Sequence, residues 1–428
     1  MRGTMLRKVL LPVLLIIALT ATNHEAIASS DHHRTIVLGP NAAAQFPDGF
    51  STVGVAGDET LLFAVQPAAT SSRPNGVHVV RRRNGQLLGD LVPPANGWQV
   101  PLVIKIIEYG SSDSAWTEGI VLVLDAGARP TEAGTKPGII YRYQYAYSHN
   151  TGLTSSVVSS HVLPLFSPSA DPLPNGLFYP ISMGLLPNGG IAVIDTFLGA
   201  IWVASSSLAD WHLAIIDPRF QFGFGEELQG IGRAPGGGTQ PYRLLLPTPP
   251  GAPGPVFPGI HSITYAAITD EVYTVRTASP GGIFGIPLNV LLDETKLPFE
   301  KGGSVRTVVA PTPGVSDQTV GLDYDRFHPT TPWLYWHRAP SDEVGGGFNT
   351  LRRINLLTGE IEVLASSNTL YDWTEEISVL PGIGNSPYTY IVHAMGQLYN
   401  NPDANMLLGG IPAYVGPELI SITAVSND

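Results

Sequence analysis

Ile191-Ala192-Val193-Ile194-Asp195, then Phe197-Leu198-Gly199-Ala200, then Ile201-Trp202-Val203-Ala204: this stretch reads as a strand, a turn and a returning strand. β-branched and aromatic residues, which fit a pleated and buried surface, dominate both runs. Two further hairpins have the same form. One runs Glu271-Val272-Tyr273-Thr274-Val275, turns through Ala278 to Gly282, and returns as Ile283-Phe284-Gly285-Ile286. The other runs Leu351-Arg352-Arg353-Ile354-Asn355 and returns as Glu360-Ile361-Glu362-Val363-Leu364, with Thr358-Gly359 suited to a tight turn.

Outward from these hairpins, one arrangement recurs. A turn rich in Pro, Asp or Gly precedes an apolar strand, and a second strand ends near an Asp or His. The instances are Phe46-Pro47-Asp48-Gly49 before Val53 to Val65, Trp116-Thr117-Glu118-Gly119 before Ile120 to Asp125, and Tyr179-Pro180 before Met183 to Asp195. They continue with Phe257-Pro258-Gly259 before Ile260 to Val275, Ser316-Asp317-Gln318 before Val320 to His337, and Asp372-Trp373-Thr374-Glu375-Glu376 before Ile377 to His393. A repeated strand group marks a propeller or solenoid. Propeller blades are four antiparallel strands around a channel, so the expected fold is an all-β, six-bladed β-propeller. A jelly roll or a pair of sandwich domains is the alternative, since short strands alone do not dictate closure. The best helical candidate, Pro287 to Leu297, is short enough for one or two turns. Ala234 to Gly238, Pro247 to Pro258 and Ser341 to Gly347 are expected to be surface loops.

Composition narrows the functional classes. Arg2, Arg7 and Lys8 precede the apolar run Val9 to Leu19, and Ala26-Ile27-Ala28 follows. This pattern predicts a secretory signal peptide over residues 1–28, cut after Ala28, with a single propeller domain over 29–428. The expected location is extracellular, or periplasmic in a bacterium. The whole chain has 23 basic and 35 acidic side chains; without the leader 20 and 34 remain. Such an acidic surface argues against nucleic acid and against an anionic membrane as partners. Arg81-Arg82-Arg83 is expected to be a solvated strand end. There is no cysteine, which excludes disulfides and thiolate chemistry, and no Asn-x-Ser/Thr acceptor. A monomer is expected.

From about Val121 to Tyr399 a series of short motifs falls in a familiar order. Leu122-Val123-Leu124-Asp125-Ala126-Gly127 precedes Pro137-Gly138-Ile139-Ile140; Ile191 to Asp195 precedes Gly199-Ala200-Ile201-Trp202-Val203 and Asp210-Trp211-His212. Then come Gly259-Ile260, Val272-Tyr273-Thr274-Val275, Pro287-Leu288-Asn289-Val290-Leu291, Ser316-Asp317-Gln318-Thr319, Trp336, and Tyr390-Ile391-Val392-His393. In this order the chain resembles the yellow / major royal jelly protein family, itself related to the gluconolactonase-like (SMP-30/NHL-type) propellers. It departs from the family in lacking cysteines and in having His212 after Trp211 where the family has Arg. The resemblance implies a secreted propeller whose relatives include small-molecule carriers, enzymes acting on catechol-derived quinones, and storage or structural proteins. The fold alone does not choose among them.

In a propeller, residues just before each inner strand face the channel mouth. The predicted positions are Asp48, Glu118, Ser182, His261, Gln318 and Glu376, with Phe46, Trp116, Tyr179, Phe257 and Trp373 as aromatic walls. A concave apolar site with a few polar groups suits a small, cyclic or aromatic ligand. His261, with Glu118 or Glu376, is the predicted proton-transfer set for isomerase- or cyclase-type chemistry, because an imidazole titrates near neutrality. His212, His337 and His393 are expected to be structural. No cofactor is expected. A divalent cation such as Ca²⁺, which takes oxygen ligands, is the alternative that the gluconolactonase-like resemblance implies, and would make the protein a metal-dependent lactonase or ester hydrolase. A non-catalytic structural or interaction role is a further alternative. No Gly-x-Ser-x-Gly elbow is present, and Gly236-Gly237-Gly238 and Gly345-Gly346-Gly347 lack the strand–helix setting of a phosphate loop.

Overall fold

A computed structural model describes residues 32–38, 54–67, 74–112, 116–127, 136–167, 173–196, 198–220, 227–233, 239–245, 260–276, 282–310, 317–328, 330–340, 349–367, 374–382, 387–395 and 419–426. Among them, six four-stranded antiparallel sheets form six blades. Strand β1 (His32–Leu38) belongs to the last blade. Blade 1 is β2 (Gly54–Gly57), β3 (Leu61–Gln66), β4 (Gly76–Arg81) and β5 (Leu87–Asp90). Blade 2 is β6 (Pro101–Ser112), β7 (Trp116–Asp125), β8 (Ile139–Ser148) and β9 (Gly152–Val162). Blade 3 is β10 (Pro180–Leu185), β11 (Ile191–Asp195), β12 (Ala200–Ala204) and β13 (Trp211–Ile216). A separate hairpin, β14 (Glu227–Arg233) with β15 (Thr239–Leu245), precedes blade 4. Blade 4 is β16 (Ile260–Ala266), β17 (Glu271–Arg276), β18 (Gly282–Pro287) and β19 (Arg306–Val309). Blade 5 is β20 (Asp317–Tyr324), β21 (Trp333–Pro340), β22 (Asn349–Asn355) and β23 (Ile361–Ser367). Blade 6 is β24 (Thr374–Leu380), β25 (Tyr388–Met395) and β26 (Leu419–Ser426), completed on its outer side by β1. The two ends of the chain thus meet in one sheet, with His32 opposite Val425. The innermost strands touch in sequence, β2, β6, β10, β16, β20, β24, and β24 touches β2. The ring is closed.

The strand patterns follow from this stacking. Each blade is covered on both faces by its neighbours, so both sets of alternating side chains are buried, as in any sheet with two packed faces. In β11, Ile191 and Val193 join the layer shared with blade 2, which holds Leu122, Leu124 and Ile140. The intervening Ala192 and Ile194 join the layer shared with blade 4, with Ile260, Ile263 and Val272. Every pair of neighbouring blades has such a layer, including the closing pair, where Val55, Leu62 and Val80 of blade 1 meet Leu380, Val392 and Ile422 of blade 6. Continuous apolar runs, with no polar alternation, are therefore what these strands require.

Five of the six blade starts lie where the sequence pattern puts them. The second does not. Ile120 to Asp125 belongs to β7, the second strand of its blade, and the inner strand is β6. β6 escapes the pattern because Lys105 interrupts its apolar run, although the turn Pro93-Pro94-Ala95-Asn96-Gly97 precedes it. The helix expected after Pro287 is the single turn α1 (Leu288–Leu291). The three Gly/Pro-rich loops lie outside the described residues. Arg82 is not solvated: it is 4% exposed and donates to the Asp58 carbonyl (2.8 Å) and the Pro381 carbonyl (2.9 Å), tying blade 1 to blade 6. Burial lowers its pKa to about 10. His337 and His393 are fully buried, as structural histidines should be, and His393 lies 3.2 Å from the Thr423 hydroxyl.

Candidate functional site: two ends of one channel

Inner strands enter from one end of the ring, here called upstream, and leave at the other, downstream. The upstream end is built on a repeated irregularity. Register slips by one residue at Leu102 in β6, Ile181 in β10, His261 in β16, Gly321 in β20 and Glu375 in β24. Such a bulge bends the strand and re-aims a side chain. Gly321, with φ +61°, takes a conformation glycine adopts without penalty. The loops feeding this end are held by carboxylates at the ends of second strands. Asp125 accepts from the backbone N–H groups of Gln99 (2.7 Å), Val100 (2.7 Å) and Gly127 (3.0 Å). Asp195 does the same for Phe178, Tyr179 (3.0 Å) and Leu198 (3.0 Å). Burial pushes the Asp125 carboxyl up, against the pull of its three donors. The Asp that ends a second strand in the sequence pattern is thus a loop anchor.

The predicted residues fall differently from their expected ring. His261 is half-buried in the β16 bulge, and burial lowers its imidazole to about 4. At pH 7 it is neutral. Ser182 is on β10 but only 3% exposed, and Tyr179 is 2% exposed inside the layer between blades 2 and 3. Neither offers an open wall. Trp116 and Glu118 are exposed, yet on β7, where Gly119 stands opposite Tyr109 near the far end of β6. They belong to the downstream end, so Glu118 and His261 do not form one proton-transfer pair. This correction follows from the misplaced inner strand of blade 2. Asp48, Phe46, Phe257 and Trp373, and the side chains of Gln318 and Glu376, lie outside the described residues. Among the described residues no three His, Asp or Glu side chains are grouped to hold a metal ion.

A cavity lined by described residues is downstream. It has a volume of about 190 Å³, and all six inner strands contribute: Gly57 of β2, Lys105 of β6, Gly184 of β10, Thr264 of β16, Asp323 of β20 and Ser378 of β24. Thr264 is three residues past His261, roughly 10 Å along the strand. Asp323 ties the ring together here. Its Oδ1 accepts from the Thr264 hydroxyl (3.0 Å) and its own neighbour's N–H at Tyr324 (3.0 Å), while Oδ2 accepts from the Val379 N–H (2.7 Å). Three inner strands meet on one carboxylate.

Beside it, Arg326 is fixed from several sides. One terminal nitrogen, Nη2, donates to the Ile106 carbonyl (3.2 Å) and to the Tyr109 hydroxyl. Its guanidinium stands 5.4 Å from the Tyr109 ring centre and 5.1 Å from that of Phe327. The two rings meet edge to face at 5.4 Å. Tyr109 is 38% exposed, but chain packed around its hydroxyl raises the phenol above its ordinary pKa despite the opposing charge of Arg326. Lys105, 8% exposed, adds a second cation to the lining. Lone charges inside or just after an inner strand, as in Ile104-Lys105-Ile106 and Asp323-Tyr324-Asp325-Arg326, were the sequence signal for this end.

No protein-family model matches the chain, and no curated protein matches it. Solved structures do. The major Malassezia sympodialis allergen Mala s 1 is 10% identical over 94% of this chain and 97% of its own, with a TM-score of 0.49. Virginiamycin B lyase from Staphylococcus aureus is 13% identical over 92% of this chain and 99% of its own, with a TM-score of 0.39. A structural genomics protein of unknown function from Bacteroides thetaiotaomicron is 10% identical over 92% of this chain and 76% of its own, with a TM-score of 0.44. At these values the likeness is one of overall fold.

Proposed function

We propose that this protein is a secreted propeller, released by cleavage after Ala28, that binds a small single-ring organic molecule in the downstream end of its channel. The observation that carries the reading is the cavity of about 190 Å³ lined by all six inner strands. Size suggests the ligand class: an apolar cavity of about 150 Å³ accommodates benzene, so one six-membered ring with a small substituent fits. Leu185, Pro187 and Tyr265 supply apolar contact, and Thr264, Ser378 and Lys105 polar contact, which is the usual composition of such a pocket. The resemblance to the yellow / major royal jelly family, which includes small-molecule carriers, agrees with this class of role.

A second reading keeps the ligand upstream, where the bulge at His261 re-aims an imidazole. Proton transfer there would begin from the neutral ring, a weak base with a pKa of about 4. Two substitutions separate the readings. Ligand-detected NMR with a library of single-ring fragments is expected to find binders to the wild type. Ser378→Leu, which fills the downstream cavity, should abolish their signals, and His261→Ala should leave them. The reverse pattern would overturn the downstream assignment in favour of the upstream mouth.

A further inference from the structure

We infer that the downstream pocket selects a single-ring carboxylate, gripped by Arg326; the inference rests on the proposed binding role of that cavity. Asp323 is the cavity's carboxylate, and both its oxygens are already engaged by Thr264, Tyr324 and Val379. The Tyr265 hydroxyl donates to Asp270 at 2.9 Å. Neither group is positioned to draw in a cation. Donors are in excess. Arg326 uses Nη2 on the Ile106 carbonyl and the Tyr109 oxygen, and among the described residues its Nε and Nη1 make no hydrogen bond. Nε and Nη1 lie on different sides of the guanidinium, so each offers a single charge-assisted hydrogen bond to an anion. Tyr109 accepts from Arg326, so its own hydroxyl hydrogen is left to donate, and its raised pKa keeps that hydrogen in place. Lys105 brings a further positive charge to the same lining.

The aromatic pair fixes the cation before any ligand arrives. Tyr109 and Phe327 flank the guanidinium, which limits the side-chain entropy lost on binding. On a chain of net charge −12, a local cationic patch favours the approach of a small anion to this end of the channel. The ring of the ligand would lie against Leu185, Pro187 and Tyr265, with its carboxylate toward Arg326.

Three near-isosteric probes test this: benzoate, benzamide and benzylammonium, titrated calorimetrically into the full mature protein and into Arg326→Gln and Arg326→Lys. Benzoate is expected to bind at least about tenfold tighter than benzamide, since charge-assisted bonds are roughly twice as strong as neutral ones. Benzylammonium should bind weakest. Arg326→Gln should lose that preference, and Arg326→Lys, which keeps the charge without the guanidinium, should retain part of it. Melting curves of the variants report whether the fold survives; if it does not, the ranking of the three probes on wild type still decides. Equal or tighter binding of benzamide or benzylammonium would overturn the carboxylate selection and leave the pocket standing. Benzoate binding unchanged in a folded Arg326→Gln would overturn the role of Arg326. Failure of all three probes, together with an empty fragment screen, would remove the pocket itself.

Discussion

The two ends of this channel are made from the same six strands and differ in what their polar groups do. Upstream, carboxylates are consumed by the chain: Asp125 and Asp195 each hold two backbone N–H groups of the loop that leads into an inner strand and one of the turn that follows their own strand. His261, re-aimed by its bulge, is kept neutral by burial. Downstream, Asp323 is consumed in the same way, but Arg326 and Tyr109 retain donors and a cavity stands open among them. A ring of equivalent positions therefore does not make equivalent sites. Among the described residues, the upstream carboxylates are taken up by the chain itself, whereas the downstream end keeps donors beside a cavity.

The largest expected effect falls on the scaffold. Asp195→Ala leaves three loop N–H groups, two of them on buried residues, without their acceptor, which should cost about 3 kcal/mol or more. Thermal unfolding checks it, and a loss below about 1 kcal/mol would show that the loops are held by packing alone. Next in size is a pH effect confined to the upstream end. The His261 ring takes up a proton near 6.5 when unfolded but only near 4 when folded. The contribution of the neutral ring is therefore complete above pH 6.5 and falls away as pH drops from 6.5 toward 4. The slope is at most about 1.4 kcal/mol per pH unit. His261→Gln should flatten denaturation midpoints across this window. An unchanged profile would place the acid sensitivity elsewhere. The smallest effect is expected at the exposed Arg142–Glu108 pair (2.9 Å), where Arg142→Ala should change stability by less than about 1 kcal/mol. A larger loss there would mean that surface charge does more for blade 2 than its position suggests.

The sequence carried the fold further than the site. Apolar runs such as Ile191 to Ile194 and Val272 to Val275 show at once that both faces are buried, and six such units sized for blades leave few other architectures. Closure by β1 was not legible, because His32 to Leu38 is short and pairs with residues nearly the whole chain away. The proposed site lies at the other end from the predicted ring for a related reason. Turns rich in Pro, Asp and Gly stand out upstream, and Glu118 and Trp116 look like a blade start until β6 is found before them. Tyr179 and Ser182 were placed correctly along the chain, but period-two patterns do not tell a buried position from a channel wall when every face is covered. Lys105 and Asp323 were visible as lone charges in apolar strands. That they converge follows only from the ring, since blades 2 and 5 stand across it from each other.

The most direct test of the central claim is a crystal structure of the mature protein soaked with benzoate. The expected result is ligand density in the downstream cavity, with the carboxylate on Arg326 and the ring against Leu185, Pro187 and Tyr265. Density at the upstream mouth beside His261, with the downstream cavity filled only by water, would contradict it.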